Sequence, residues 1–214
     1  MTSIARSTET QGDLIDWWND APLKGDVDVT LRPAEVAVFV REGEVLLELP
    51  PGRHRLTAQS HPVLAGWLSG KDHDLGIAFL TIGLRTEVDV GIGYTWGEQV
   101  EAFVATTATI TVQDGSKAIG LLEHLDDEES LEDWLGDEIA TQLADAIGEL
   151  DVPDILHVTS QAHDADLVEA ALAKANDVLG AYGVRVEALG DLTHHLDPDT
   201  EKRIKAELLK KAGL

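Results

Sequence analysis

The apolar pattern of this chain changes period near residue 115, and that change limits the folds open to it. Upstream, hydrophobic residues recur every second position, as strands with one buried face require. Val27, Val29 and Leu31 alternate with polar residues, and Glu35 to Val40 and Glu44 to Leu49 flank a turn at Arg41-Glu42-Gly43, which reads as a hairpin. Pro50-Pro51-Gly52 turns the chain ahead of a short strand from Arg53 to Leu56. Leu75 to Tyr94 keeps the same period through Val88, Val90 and Ile92, and Phe103 to Val112 repeats it with β-branched residues. Downstream, Leu131, Leu135, Ile139, Leu143 and Ile147 fall every four residues behind a Ser130 to Asp133 capping box, which predicts a helix over about 131–150. A second helix is predicted from about Asp164 to Tyr182, ended by Gly183, then a strand from Val184 to Leu189. A third starts at Asp197-Pro198 and carries Ile204, Leu208 and Leu209 as its apolar edge.

Strands first and helices second predict an α+β chain: a β-rich first half, an α/β second half and a short C-terminal helix. The expected divisions are an N-terminal arm at 1–26, a β-rich part at 27–112, an α/β part at 113–190 and the C-terminal helix at 191–214.

Forty acidic side chains against sixteen basic ones give a formal net charge of -24. A nucleic-acid surface needs clustered Lys and Arg, which occur only in the last dozen residues, so nucleic-acid binding is excluded, as is direct insertion into an anionic membrane. Acidity of this degree is also a known route to solubility in a salty interior. Cysteine is absent, which removes disulfides, thiolate nucleophiles and Cys-ligated metal centres. No apolar run reaches eighteen residues and none follows Arg6 as a signal peptide would, so a soluble, cytoplasmic protein is expected.

Several fragments, in order, resemble one family. They are Asp13-Leu-Ile-Asp-Trp-Trp18, Leu31-Arg-Pro-Ala-Glu-Val-Ala-Val-Phe-Val40, Glu42-Gly-Glu44, Pro51-Gly52, Tyr94-Thr-Trp-Gly97 and Tyr182-Gly-Val-Arg-Val186. Over residues 13 to 190 their spacing is similar to the SPFH domain of stomatins, prohibitins and flotillins, in particular the soluble bacterial branch labelled virion core protein-like. The resemblance implies an SPFH-like fold, with a β-rich first half and an α/β second half, that self-assembles through lateral packing and a C-terminal helix. The zinc ribbon that ends some soluble relatives needs cysteines that this chain does not have.

Chemistry-bearing clusters are few. His194-His195 with Asp197 and Asp199 offers metal-ligand atoms, but neighbouring residues diverge on a regular backbone, and a loop entering a helix accounts for them; no metal or other cofactor is expected. Asp126-Asp127-Glu128-Glu129 lacks the alternating spacing that wraps calcium and suits the positive end of a helix. There is no Gly-x-Ser-x-Gly elbow and no phosphate loop, so the chain is read as not an enzyme. Trp67, with Leu64 and Leu68, lies in an apolar stretch between strands, open to two readings: packing over a sheet edge, or an exposed partner-binding tip.

The charges point to how copies would join. From Ala118 to Ala173 there is no Lys or Arg and there are sixteen acidic residues, including Asp126, Asp127, Glu128 and Glu129. The C-terminal helix instead concentrates Lys202, Arg203, Lys205, Lys210 and Lys211 beside Ile204, Leu208 and Leu209. A homo-oligomer is expected, the helix of one copy packing head-to-tail near the acidic region of the next, unless it folds back on its own domain. The function expected is a non-enzymatic, self-assembling scaffold or adaptor of the SPFH type; the alternative is a monomeric acidic module that binds a cationic protein partner.

Overall fold

The computed structural model describes residues 2–8, 13–18, 24–71, 74–96, 100–124, 131–148 and 161–196, with 198, 199, 202 and 206 beyond. The chain is α+β and divides into two compact units that interleave in sequence. One comprises Met1–Thr86, Ile110–Leu131 and Val178–Arg185, the other Glu87–Thr109, Glu132–Asp177 and Val186–Leu214. The units do not follow chain order, since long strands and helices each contribute residues to both.

The first unit is built from two sheets. In one, β1 (Thr2–Ile4) runs parallel to β3 (Val27–Leu31), whose other edge pairs antiparallel with β6 (Gly52–Leu56). In the other, antiparallel throughout, the order is β2 (Ile15–Trp18), β7 (Leu75–Thr81), β4 (Glu35–Arg41) and β5 (Glu44–Leu49). The expected polar arm thus supplies a terminal strand to each sheet. Side chains from both sheets close one core, with Val29 and Leu56 from the first and Phe39, Ile77 and Phe79 from the second.

β4 and β7 read as nearly continuous apolar runs because they are buried along both faces. A short helix, α2 (Gly115–Ala118), packs on β4 and β5: a Cβ on Gly115 would stand 2.9 Å from Val36 Cγ2, so glycine lets α2 settle close to the sheet. The β4–β5 hairpin turns through Glu42 (φ 51°) and Gly43 (φ 80°), the two positive φ values of a turn whose twist matches the flanking strands. A short helix, α1 (Ala65–Leu68), preceded by one 3₁₀ turn, follows β6.

The stretch from Leu75 onward is two strands rather than one, broken at Gly83 (φ 73°) before β8 (Arg85–Trp96). In the second unit, β8 pairs with β9 (Val100–Val112), which also borders β10 (Val184–Leu189) and β11 (Thr193–Leu196). β11 replaces the expected loop: Thr193 to Leu196 lie antiparallel to Ala105 to Ala102. Val88, Val90, Ile92, Val104 and Ala108 are the buried half of the alternation.

Helix α3 (Leu131–Gly148) buries Leu135, Ile139, Leu143 and Ile147, the stripe its period predicts. A Cβ at Gly136 would lie 2.4 Å from the Asp89 carbonyl, so α3 rests directly on β8. Helix α4 (Gln161–Leu179) buries Leu167, Ala171 and Ala175 and runs into a 3₁₀ turn that Gly183 (φ 67°) ends. No helix among the described residues is long and apolar enough to cross a membrane.

Candidate functional site

The chemically richest place in the described chain is at one end of the first unit's two sheets, around Arg6. This side chain is only 3% exposed, although arginine is seldom buried without partners. Its Nη1 donates to Thr81 Oγ1 at 2.8 Å and its Nη2 to the Asp13 carbonyl, while Nε finds no hydrogen-bond partner among the described residues. Burial pushes the Arg6 pKa down, and Asp16, Glu35 and Asp13 oppose that push, with Arg32 adding to it.

Glu35, also 3% exposed, accepts the Arg32 backbone N–H at 2.7 Å, and its Oε1 lies 3.6 Å from Arg32 Nη1. Arg6, two residues after β1, is thus tied to the chain before β2 and to the end of β7, where Thr81 pairs with Glu35 of β4, and together they form a charged cap.

Beside this cap a cleft of about 330 Å³ opens, lined by Ser3, Ile4, Ala5 and Ser7 on one side, Asp16, Trp17 and Trp18 on the other, and Phe79. Asp16 pairs across the ladder with Phe79 and its Oδ2 accepts the Ser7 backbone N–H at 3.4 Å. Trp18 packs against the core, and Trp17 lies over Gly76, where a Cβ would come within 2.0 Å of the indole ring.

A second cleft, of about 410 Å³, is bordered by Glu48, Asp114 and Gly115 among others, but these polar groups hold the fold. Glu48 accepts the Ser116 hydroxyl at 2.5 Å, and Asp114 caps α2 by accepting the Lys117 N–H at 3.1 Å.

The residues singled out in the sequence fall elsewhere. Leu64, Trp67 and Leu68 are 1%, 3% and 4% exposed, and Trp67 meets Phe39 edge-on with centroids 5.9 Å apart. The reading as an exposed partner-binding tip is therefore corrected in favour of packing: the short helix α1 folds the apolar stretch into the core instead of leaving it as an open connection. The exposed apolar residue of that stretch is Val63.

His194 and His195 lie on β11, in register with Val104 and Phe103 of β9. Among the described residues no group of three or more His, Asp or Glu side chains comes together as a metal set. Asp126, Asp127, Glu128 and Glu129, and Arg203, Ile204, Lys205, Leu208 and Leu209, lie outside the described residues. Lys202 is exposed and helical, its Nζ 3.5 Å from Asp199 Oδ1.

On α3, Asp133, Asp137, Thr141 and Asp145 are exposed at four-residue intervals; on α4, Asp166, Glu169 and Asp177 are exposed. The Arg6 cap was not legible in the sequence, because a lone arginine near a chain start carries no local sign of burial. No protein-family model matches this chain, and no curated protein matches it.

Proposed function

We propose that this chain is a non-enzymatic, self-assembling scaffold or adaptor of the SPFH type, acting in the cytoplasm. The observation that carries the reading is segregation of charge along the chain. α3 presents Asp133, Asp137 and Asp145 as an outward acidic stripe, and five of the sixteen Lys and Arg residues cluster after residue 201, beside Ile204, Leu208 and Leu209. An amphipathic helix of about four turns is marginal alone and gains stability by docking its apolar edge. Contact between unlike surfaces propagates into rings or filaments. Support of a different kind comes from where the SPFH-like fragments fall: Glu42-Gly43-Glu44 makes the hairpin turn, Pro51-Gly52 opens β6, and Tyr182-Gly183 ends a helix before β10. They are determinants of chain path, as fits a family defined by its fold.

The same acidic stripe favours the second reading, a monomer that binds a cationic protein partner. Removing residues 198–214 separates the two. In the scaffold the truncated chain becomes monomeric and keeps its circular dichroism; a full-length chain that is monomeric at every salt and protein concentration leaves only the second reading.

A further inference from the structure

We propose that the exposed face of the β8–β9 pair, around Phe103, is the seat on which residues 201–211 of a neighbouring copy dock. This seat presupposes self-assembly and supplies the receiving surface for it. The α3 stripe attracts an approaching basic segment by its charge, but Leu135, Ile139, Leu143 and Ile147 of that helix are buried, so it has no apolar surface to cover Ile204, Leu208 and Leu209. Among the described residues the exposed large apolar side chains are Val45, Val63, Leu84 and Phe103. Val63 and Leu84 lie outside the strands and Val45 stands at the start of β5, whereas Phe103, 44% exposed, lies within a long strand.

Burial alternates along β8 and β9: Val88, Val90, Ile92 and Val104 face the core, which puts Glu87, Asp89, Gly91 and Gly93 on the exposed face with Phe103. A Cβ on Gly91 would come 3.0 Å from the Phe103 ring, and one on Gly93 would meet nothing within 4 Å. The ring thus lies over one glycine, and the other leaves the sheet open for an incoming side chain. Glu87 and Asp89 make this face acidic, so two such faces repel each other, and the complementary segment of this chain is the one where Lys202, Arg203, Lys205, Lys210 and Lys211 flank Ile204, Leu208 and Leu209. As a helix, residues 201–211 would span about 16 Å, against about 20 Å of β9 from Phe103 to Thr109. The chain leaves the sheet at the border of this face, since His195 pairs with Phe103 and Leu196 with Ala102. β11 runs away from the stretch between Phe103 and Thr109, so covering it in the same copy demands a reversal within residues 197–200, whereas a neighbour receives the segment without one.

Because the chain has no cysteine, single introduced cysteines report the contact. Full-length chains carrying Gly93→Cys are mixed with mass-tagged full-length chains carrying Lys205→Cys and treated with a short bis-maleimide. A mixed covalent dimer is expected, at a yield at least about tenfold that of the control pair Asp137→Cys with Lys205→Cys. Gly93→Lys, whose side chain enters open space and repels the basic segment, should lower the association constant of the full chain at least about tenfold without unfolding it. An intramolecular link in a chain carrying both Gly93→Cys and Lys205→Cys, with no mixed dimer, shows the segment folding back on its own copy and overturns the proposal. A control pair that links as well as the test pair moves the seat to α3 and overturns it too. A multimeric full chain with neither link, or with association unchanged by Gly93→Lys, removes this seat and leaves self-assembly standing; a full chain monomeric at every concentration removes self-assembly and the seat together.

Discussion

Gly183 holds φ 67° while its carbonyl accepts the Gln113 and Asp114 N–H groups at 2.8 and 3.3 Å, and a Cβ there would stand 2.5 Å from the Asp114 carbonyl oxygen. Gly183→Ala therefore meets both a left-handed backbone and a backbone collision, and should lower stability by more than about 2 kcal/mol in urea denaturation. Asn176 does a strand's work from a helix: its Nδ2 donates to the carbonyls of Leu172 and Val186, and its Oδ1 accepts the Val186 N–H, each at 2.9 Å. Asn176→Ala should cost about 2 to 4 kcal/mol, because it strands backbone groups of a buried residue. Asn176→Asp should not restore it, since a carboxylate would face two carbonyl oxygens. Arg6 stays protonated in both folded and unfolded chains near neutral pH, since its downward shift only loosens a guanidinium proton that is normally bound very tightly. Its burial is accordingly a cost that does not vary with pH there; it would lighten only in strong alkali, above the folded-state pKa. Of these three residues only Gly183 was legible in the sequence, as a helix terminator. The partners of Asn176 and Arg6 arise from contacts that no local pattern encodes.

At the scale of elements, the hairpin between β4 and β5 carries a non-glycine residue, Glu42, at φ 51° in its turn. Glu42→Asn gives the Asn-Gly pair that this turn prefers and should raise stability by about 0.5 to 1 kcal/mol, read as a higher melting temperature. The elements read correctly from sequence were those with long regular periods: the β4–β5 hairpin, α3 with Leu135, Ile139 and Leu143, and α4 ending before Gly183. Those missed were short. β1 and β11 have three and four residues, too few to establish an alternation, and each exists because a longer strand, β3 or β9, offers it an edge. Trp67 shows the opposite failure: a four-residue helix has too little period to reveal which side faces the core.

For the whole molecule, the change of period near residue 115 marked the α+β class but not how the units are composed. Ile110–Leu131 and Val178–Arg185 group with the N-terminal β-rich unit. Such pairing of distant segments leaves no mark in a one-dimensional pattern. Net charge belongs to this scale too. With -24 formal charges, copies repel one another at low salt, and in the proposed scaffold the docking of Ile204, Leu208 and Leu209 has to overcome that repulsion except where the neighbouring Lys and Arg residues face an acidic stripe. Reversing the stripe with Asp133→Lys and Asp137→Lys should therefore weaken association while leaving α3 folded, since both positions are exposed. Replacing Leu208 and Leu209 by Asp should weaken it through lost burial, each leucine contributing about 1.5 to 3 kcal/mol when fully covered. The most direct test of self-assembly is size-exclusion chromatography with light scattering on the full chain and on the chain lacking residues 198–214, across salt and protein concentration. The scaffold account predicts a multimer for the full chain and a folded monomer for the truncated one; identical masses for the two would contradict it.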